Sequence, residues 1–361
     1  MDITVESSLG RMSTYERNAW TSLIANASEK KAVRKFVPQR VGHLAHAASG
    51  RTRTIWAATP GSSSLDEVFE TALRGVHAAT TNQGLHSVNT AKVVKSFQSH
   101  GHDVMVLGDL RQLDLEVCDL SLPRHRQGYT IGAAIQGASA SVVVTGATVA
   151  TTVTAGTTAA VAIGAVAADV TATMIEMGRI VALVAARYGY DVRSPEEEVF
   201  AAGALTYAVA NSTTQQLASL TSLSRLTQLM MRNPTWKQLQ SHQIVKVVEV
   251  VFRALGVRLT QKKLAQFVPV LGVVINGGMN YQLANQTFRR SMQAYRLRFL
   301  TEKYGLNPTL WTQNFDSADA QSNGDELPRV DDIAEAELVD LDVSGVSPAP
   351  IDADGRSVWN P

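Results

Sequence analysis

Cysteine is nearly absent: Cys118 is the sole one in 361 residues. That excludes a disulfide-stapled secreted scaffold and any Cys-rich zinc site, and it fits a reducing compartment. Aromatic residues are scarce at 6%, so the interior has to be built largely from Ala, Gly, Val and Thr. Charged residues make up only 18% against 45% hydrophobic, which is enough apolar material for a real core and excludes wholesale disorder. The opening residues Met1 to Glu6 show no basic patch followed by an apolar run, so no secretory signal is expected and the chain is expected to be cytoplasmic. Missing too are Gly-x-x-x-x-Gly-Lys-Ser/Thr and Gly-x-Gly-x-x-Gly, which removes nucleotide binding by those routes.

The formal net charge of +1 conceals an uneven distribution. Residues 312–361 carry twelve acids against Arg329 and Arg356, a net of −10, which leaves +11 on residues 1–311. An acidic tail on a basic body is the pattern of an interaction segment. The tail also holds Asn323-Gly324, Ser347-Pro348 and Asp354-Gly355 with no sustained apolar period, so 312–361 is expected to be disordered. Within it, Ile333 to Asp342 mixes acids with aliphatics and could dock on a protein partner.

Before the tail, the pattern is helical. Ser13-Thr-Tyr-Glu16 has the form of a capping box, followed by Ala19, Trp20, Leu23 and Ile24 at helical spacing, so a first helix is expected near 14–27 after a flexible N-terminus, residues 1–13. Ser64-Leu-Asp-Glu67 opens a second over 65–79, and further helices are expected over 88–99 and 104–120. Residues 127–168 are uncharged and contain no Leu, Phe or Trp. Their length would allow two bilayer crossings of about 20 residues, but the many Thr, Ser and Gly oppose insertion. Small residues at close spacing predict a tightly packed Gly/Ala/Thr-rich helical hairpin, buried or membrane-inserted. Val170–Tyr188 should continue as a helix capped by Gly189, and Ser194-Pro195-Glu196-Glu197 should start the next as a second capping box. Residues 199–224 and 264–288, also uncharged, read as buried bundle helices. No strand signal competes, so the chain reads as all-α, a multi-helix bundle over 14–311.

Chemistry is harder to find. Gly137-Ala-Ser139-Ala-Ser141 lacks the second Gly of a nucleophile elbow. His43-x-x-His46 and His100-Gly-His102 have usable spacing for a metal but no accompanying carboxylate, and they read as surface histidines. No metal and no cofactor is expected. Cys118 reads as a packed side chain. Asp169, Thr173, Glu176 and Arg179 fall on one helical stripe in apolar surroundings, where charges must pair, meet water or act. Their structural reading is a Glu176–Arg179 pair with Asp169 as an anchor. Their functional reading is a polar site for a cation, a lipid head group or a hydrolase substrate. Lys237, Lys246, Arg253, Arg258, Lys262 and Lys263 make a basic face on amphipathic helices, extended by Arg289, Arg290, Arg296, Arg298 and Lys303. Such a face suits an anionic membrane surface. Nucleic acid is the weaker partner, because aromatics are not interleaved with the bases.

Ile180 to Asp191, ending in the Tyr188-Gly189-Tyr190-Asp191 turn, resembles the EcsC family. So do Tyr15-Glu16 with Trp20, Lys262-Lys263, Phe267 to Gly272, Asn276 to Asn280, Tyr295-Arg296 and Lys303-Tyr304. The resemblance covers about 14–305. It implies a helical fold and a membrane neighbourhood, the family being named for a protein encoded beside an ABC-transporter pair, and it implies no reaction. The Thr-rich hairpin and the acidic tail depart from the family pattern. Together these readings predict a non-enzymatic, EcsC-like protein, peripheral on the inner membrane face. The alternative is a hydrolase on a lipid or peptide substrate with the Asp169–Arg179 stripe in its pocket.

Overall fold

The computed structural model describes residues 3–26, 75, 78–122, 158–210, 213–232, 235–240, 245–246 and 276–313, and no strand occurs among them. The helices are α1 (Ile3–Arg11), α2 (Thr14–Asn26), α3 (Thr90–Ser99), α4 (Leu115–Ser121), α5 (Thr158–Arg187), α6 (Pro195–Val209), α7 (Thr213–Met230), α8 (Trp236–Gln240) and α9 (Asn276–Tyr304). A π-helical turn, Thr80–Gly84, and three 3₁₀ turns, Leu85–Ser87, Leu107–Gln112 and Pro308–Trp311, complete the described elements. The all-α expectation holds.

Three long helices make the centre: α5, α6 and α9 pack on one another, and α7 packs against α6 and the Pro308–Trp311 turn. Met174, Val181, Val184, Phe200, Leu205, Leu220, Leu223, Phe299 and Trp311 are fully buried between them. Each such side chain contributes about 1.5–3 kcal/mol of transfer free energy. The abundant small residues bring backbones together. Gly84 of the π turn lies against Gly178 of α5 so closely that a Cβ on Gly84 would stand 3.1 Å from the Ile175 carbonyl oxygen. Hydroxyls in the apolar helices close onto their own backbone: Thr206, Ser219, Ser222 and Thr227 each donate to the carbonyl four residues earlier. These four hydroxyls therefore sit in apolar helices with their donors satisfied.

Helix ends follow local chemistry. The first capping box forms, with Glu16 N–H donating to Ser13 Oγ at 3.1 Å and Ser13 N–H to Glu16 Oε2 at 3.2 Å. Residues 3–11 of the stretch read as a flexible N-terminus are helical as α1; Ser8 is buried and donates to the Tyr304 carbonyl. α5 ends where Gly189 adopts φ +86°. There Gly189 N–H reaches Ala186 O and Tyr190 N–H reaches Ala185 O, the paired bonds of a Schellman motif. The same two bonds close α3 at Gly101, from Gly101 to Gln98 and from His102 to Phe97. His100-Gly-His102 is thus a helix terminus, with His100 Nδ1 2.6 Å from Ser96 O and the His102 ring 6.0 Å from that of Phe97.

Four expectations change. The helix expected over 104–120 is broken: Asp109 takes the backbone N–H groups of Met105 and Val106, and Asp114 caps a separate α4 by accepting from Glu116 N–H. The second capping box does not close, because Ser194 Oγ donates to Asp191 O and Glu197 is drawn to Arg298. The uncharged 199–224 stretch contributes to two helices, and Arg290 of α9 caps the first, donating to Ala208 O at 2.9 Å and Ala210 O at 2.6 Å. A cation at those carbonyls suits the negative end of the helix dipole. α5 starts at Thr158, so the end of the predicted hairpin and the helix after it are one element. The rest of the hairpin, the 65–74 part of the second predicted helix, His43, His46 and the acidic tail after Gln313 lie outside the described residues.

Candidate functional site

Three charged networks converge where the Tyr188-Gly189-Tyr190-Asp191 turn meets α9. The left-handed Gly189 turns the chain, and Tyr188 and Tyr190 reach different networks. Tyr188 Oη donates to Asp119 Oδ1 at 2.5 Å, and Tyr15 Oη donates to Asp119 Oδ2 at 2.7 Å. Arg296 completes this node with Nε at 2.9 Å from one carboxylate oxygen and a terminal nitrogen at 2.8 Å from the other. Burial and the Asp119 charge push the Tyr15 hydroxyl up to about 12 and Tyr188 well above the ordinary phenol range. Both phenols therefore stay protonated as donors. Burial alone would weaken the Arg296 charge, but Tyr188 and Asp119 outweigh it and hold the guanidinium protonated.

Tyr190 faces the second node. Its hydroxyl donates to Glu302 Oε2 at 2.9 Å, while Arg298 bridges Glu302 and Glu197 with three bonds of 2.6 Å. Arg298 is only 2% exposed. Its guanidinium carbon lies 4.2 Å from the centre of the Tyr190 ring and 4.4 Å from that of Phe200, so carboxylates and aromatic faces together replace its water. Arg111 covers the outside, 5.4 Å from the Tyr190 ring and 4.0 Å from Glu302. Gly189 lies beneath it, where a Cβ would come within 2.9 Å of Arg111 Cγ and 3.0 Å of the Leu107 carbonyl oxygen.

Glu16, 1% exposed, is the third node. Lys303 Nζ donates to its Oε1 at 2.7 Å and to the Leu113 carbonyl at 2.7 Å, Leu115 N–H donates at 3.2 Å, and Tyr304 Oη donates to Oε2. Burial opposes ionisation here, but the bonds from Lys303 and Tyr304 win and hold the carboxyl below the ordinary Glu range. Cys118 is fully buried beside these nodes, its thiol pushed up to about 12 by burial, as a packed side chain should be.

Chemically, these nodes fix geometry: each buried charge has an opposite charge and directed hydrogen bonds, which is how ions survive in an interior. They overturn part of the predicted basic face. Arg290, Arg296, Arg298 and Lys303 are turned inward onto carbonyls and carboxylates. Lys237 and Lys246 are exposed, whereas Arg253, Arg258, Lys262 and Lys263 lie outside the described residues. Of the stripe, Asp169 is placed in α5 by backbone alone, Thr173 is buried, and Glu176 and Arg179 are half-buried. Arg179 Nε donates to the Gln83 carbonyl at 2.9 Å, tying α5 to the π turn. Burial pushes the Glu176 carboxyl up, partly offset by the Arg179 charge. Asp191 accepts from the exposed Arg193 at 2.8 Å.

Sequence reasoning missed Asp119, whose partners lie 104, 69 and 177 residues away. It also missed the bridge from Glu197 to Arg298. The available signal was the Arg298–Glu302 spacing of four, which places both on one helical side. Among the described residues, no group of His, Cys, Asp and Glu could hold a metal ion, and no helix is long and apolar enough to cross a membrane.

No curated protein and no solved structure matches the chain. The EcsC protein family model matches residues 52–300, which include α3 to α8, nearly all of α9 and the Tyr188-Gly189-Tyr190-Asp191 turn, and the chain belongs to that family.

Proposed function

We propose that this EcsC-family protein acts by associating peripherally with an anionic membrane surface, on the cytoplasmic face, through the basic segment that starts at the end of α7. One observation carries the reading. Arg232, Lys237 and Lys246 are exposed and have no acidic partner among the described residues, whereas the bases of α9 from Arg296 to Lys303 are neutralised inside. Leu239 and Val245 are buried, so the segment is fastened to the body with its charges outward. Each such base contributes about 1 kcal/mol near an anionic surface. Arg253, Arg258, Lys262 and Lys263 continue the same run in sequence. Flotation with phosphatidylglycerol and phosphatidylcholine vesicles tests this: the full chain should bind only the anionic ones, and less as salt rises. Equal binding to both, or none to either, would sink it.

The enzymatic alternative draws on Glu176, a half-buried carboxyl held above the ordinary Glu range, the condition a general acid requires. Loss of a hydrolytic activity in Glu176→Gln with vesicle binding retained would favour it.

A further inference from the structure

We infer that the protein's own acidic tail is the resident occupant of the exposed basic segment, and that an anionic surface must displace it. The displacement rests on the membrane reading; the tail contact does not. Its first support is placement. The last described residues form the Pro308–Trp311 turn, which packs on α7, with Ser224 Oγ donating to the Pro308 carbonyl at 2.7 Å. Arg232 lies eight residues further along the same segment, about 12 Å at the helical rise. The described chain therefore ends beside the segment that carries the patch.

Reach and charge agree. Seventeen residues separate Gln313 from Asp331, a contour of up to about 60 Å. The segment Asp331 to Asp342 carries six acids and no base, and the whole of 314–361 is −10. Across the gap, Arg232, Lys237 and Lys246 have no acid partner among the described residues. Their apolar neighbours match as well: Leu229, Met230 and Trp236 are only half-buried, and Ile333, Leu338 and Leu341 are interspersed among the tail acids. Other exposed lysines are less suited, since Lys92 and Lys95 lie on α3, which packs on α5 and the Leu107–Gln112 turn. Tethering makes the contact intramolecular, so modest complementarity suffices.

Zero-length carbodiimide crosslinking of the full chain, read by mass spectrometry, tests the contact. Amide bonds from Lys237 or Lys246 to the carboxylates of 331–342 are expected at low salt and should fall at least about tenfold near 1 M salt, where the screening length is about 3 Å. Lys92 and Lys95 are internal controls. Mixing isotope-labelled and unlabelled protein identifies the tail's owner: links within one chain uphold the inference, and links only between chains overturn it. Absence of links to Lys237 and Lys246, or links equally frequent at Lys92 and Lys95, also overturns it. In a parallel arm, the full chain carrying D331N, D332N, E335Q, E337Q, D340N and D342N should bind phosphatidylglycerol vesicles about tenfold more tightly than the unaltered chain. Crosslinks as expected with no vesicle binding by either protein would uphold the tail contact and overturn the membrane reading alone.

Discussion

Arg298 and Lys237 both count toward the positive charge of residues 1–311 and lie in opposite environments in the fold. Arg298 is held by Glu197 and Glu302 between two aromatic rings, and Lys237 is exposed with no acidic partner among the described residues. A count of positive charge gives both residues equal weight. The fold does not: Arg290, Arg296, Arg298 and Lys303 on α9 hold helices together, and Arg232, Lys237 and Lys246 after α7 remain exposed.

Removing Arg298 should separate the two classes most sharply. Arg298→Met would leave Glu197 and Glu302 facing a low-dielectric interior, at a cost of about 3–5 kcal/mol, seen as a large fall in the urea midpoint. Gly189→Ala should follow, at about 1–3 kcal/mol, since it forces a side chain into a left-handed position and against Arg111 and Leu107. Retention of the wild-type midpoint by Gly189→Ala would refute the close packing of that turn.

Acid should act next, through Glu16. Its carboxyl is held below the ordinary Glu value, so its contribution is complete above the unfolded pKa of about 4.3 and is lost as pH falls through the lower folded value. Circular dichroism between pH 5 and 2 (an approximate window) should show this loss, and Glu16→Gln should flatten that part of the profile. Tyr15→Phe, which removes one of several donors to Asp119, should cost about 1 kcal/mol. At the far end, Lys237→Ala should leave the denaturation midpoint unchanged and weaken anionic-vesicle binding about fivefold, the equivalent of roughly 1 kcal/mol. A stability loss in Lys237→Ala comparable with that of Tyr15→Phe would erase the distinction between the two regions.

What could be read in advance was local. Ser13 and Glu16 lie three residues apart and make the predicted box; Gly189 follows an apolar helix and caps it. Where local and distant partners compete, the distant one won unseen: Glu197 has the spacing to cap its own helix, but it pairs with Arg298, 101 residues away. Asp119 sits in a short helix with no periodic signal, and its importance comes wholly from residues on α2, on α9 and at the end of α5. The stripe on α5 was visible as spacing, but no sequence pattern could show that Arg179 reaches back to the carbonyl of Gln83.

The Glu16–Lys303 contact also sets a schedule for folding. The two residues lie 287 positions apart, and at synthesis rates of about 5–20 residues per second the interval between them is roughly 15 to 60 s. Through that interval α2 has been made but lacks the helix whose Lys303 and Tyr304 satisfy Glu16, so the nascent chain carries an unfinished packing surface. Among the described residues α9 is the last α-helix made, and its arrival is what secures α2.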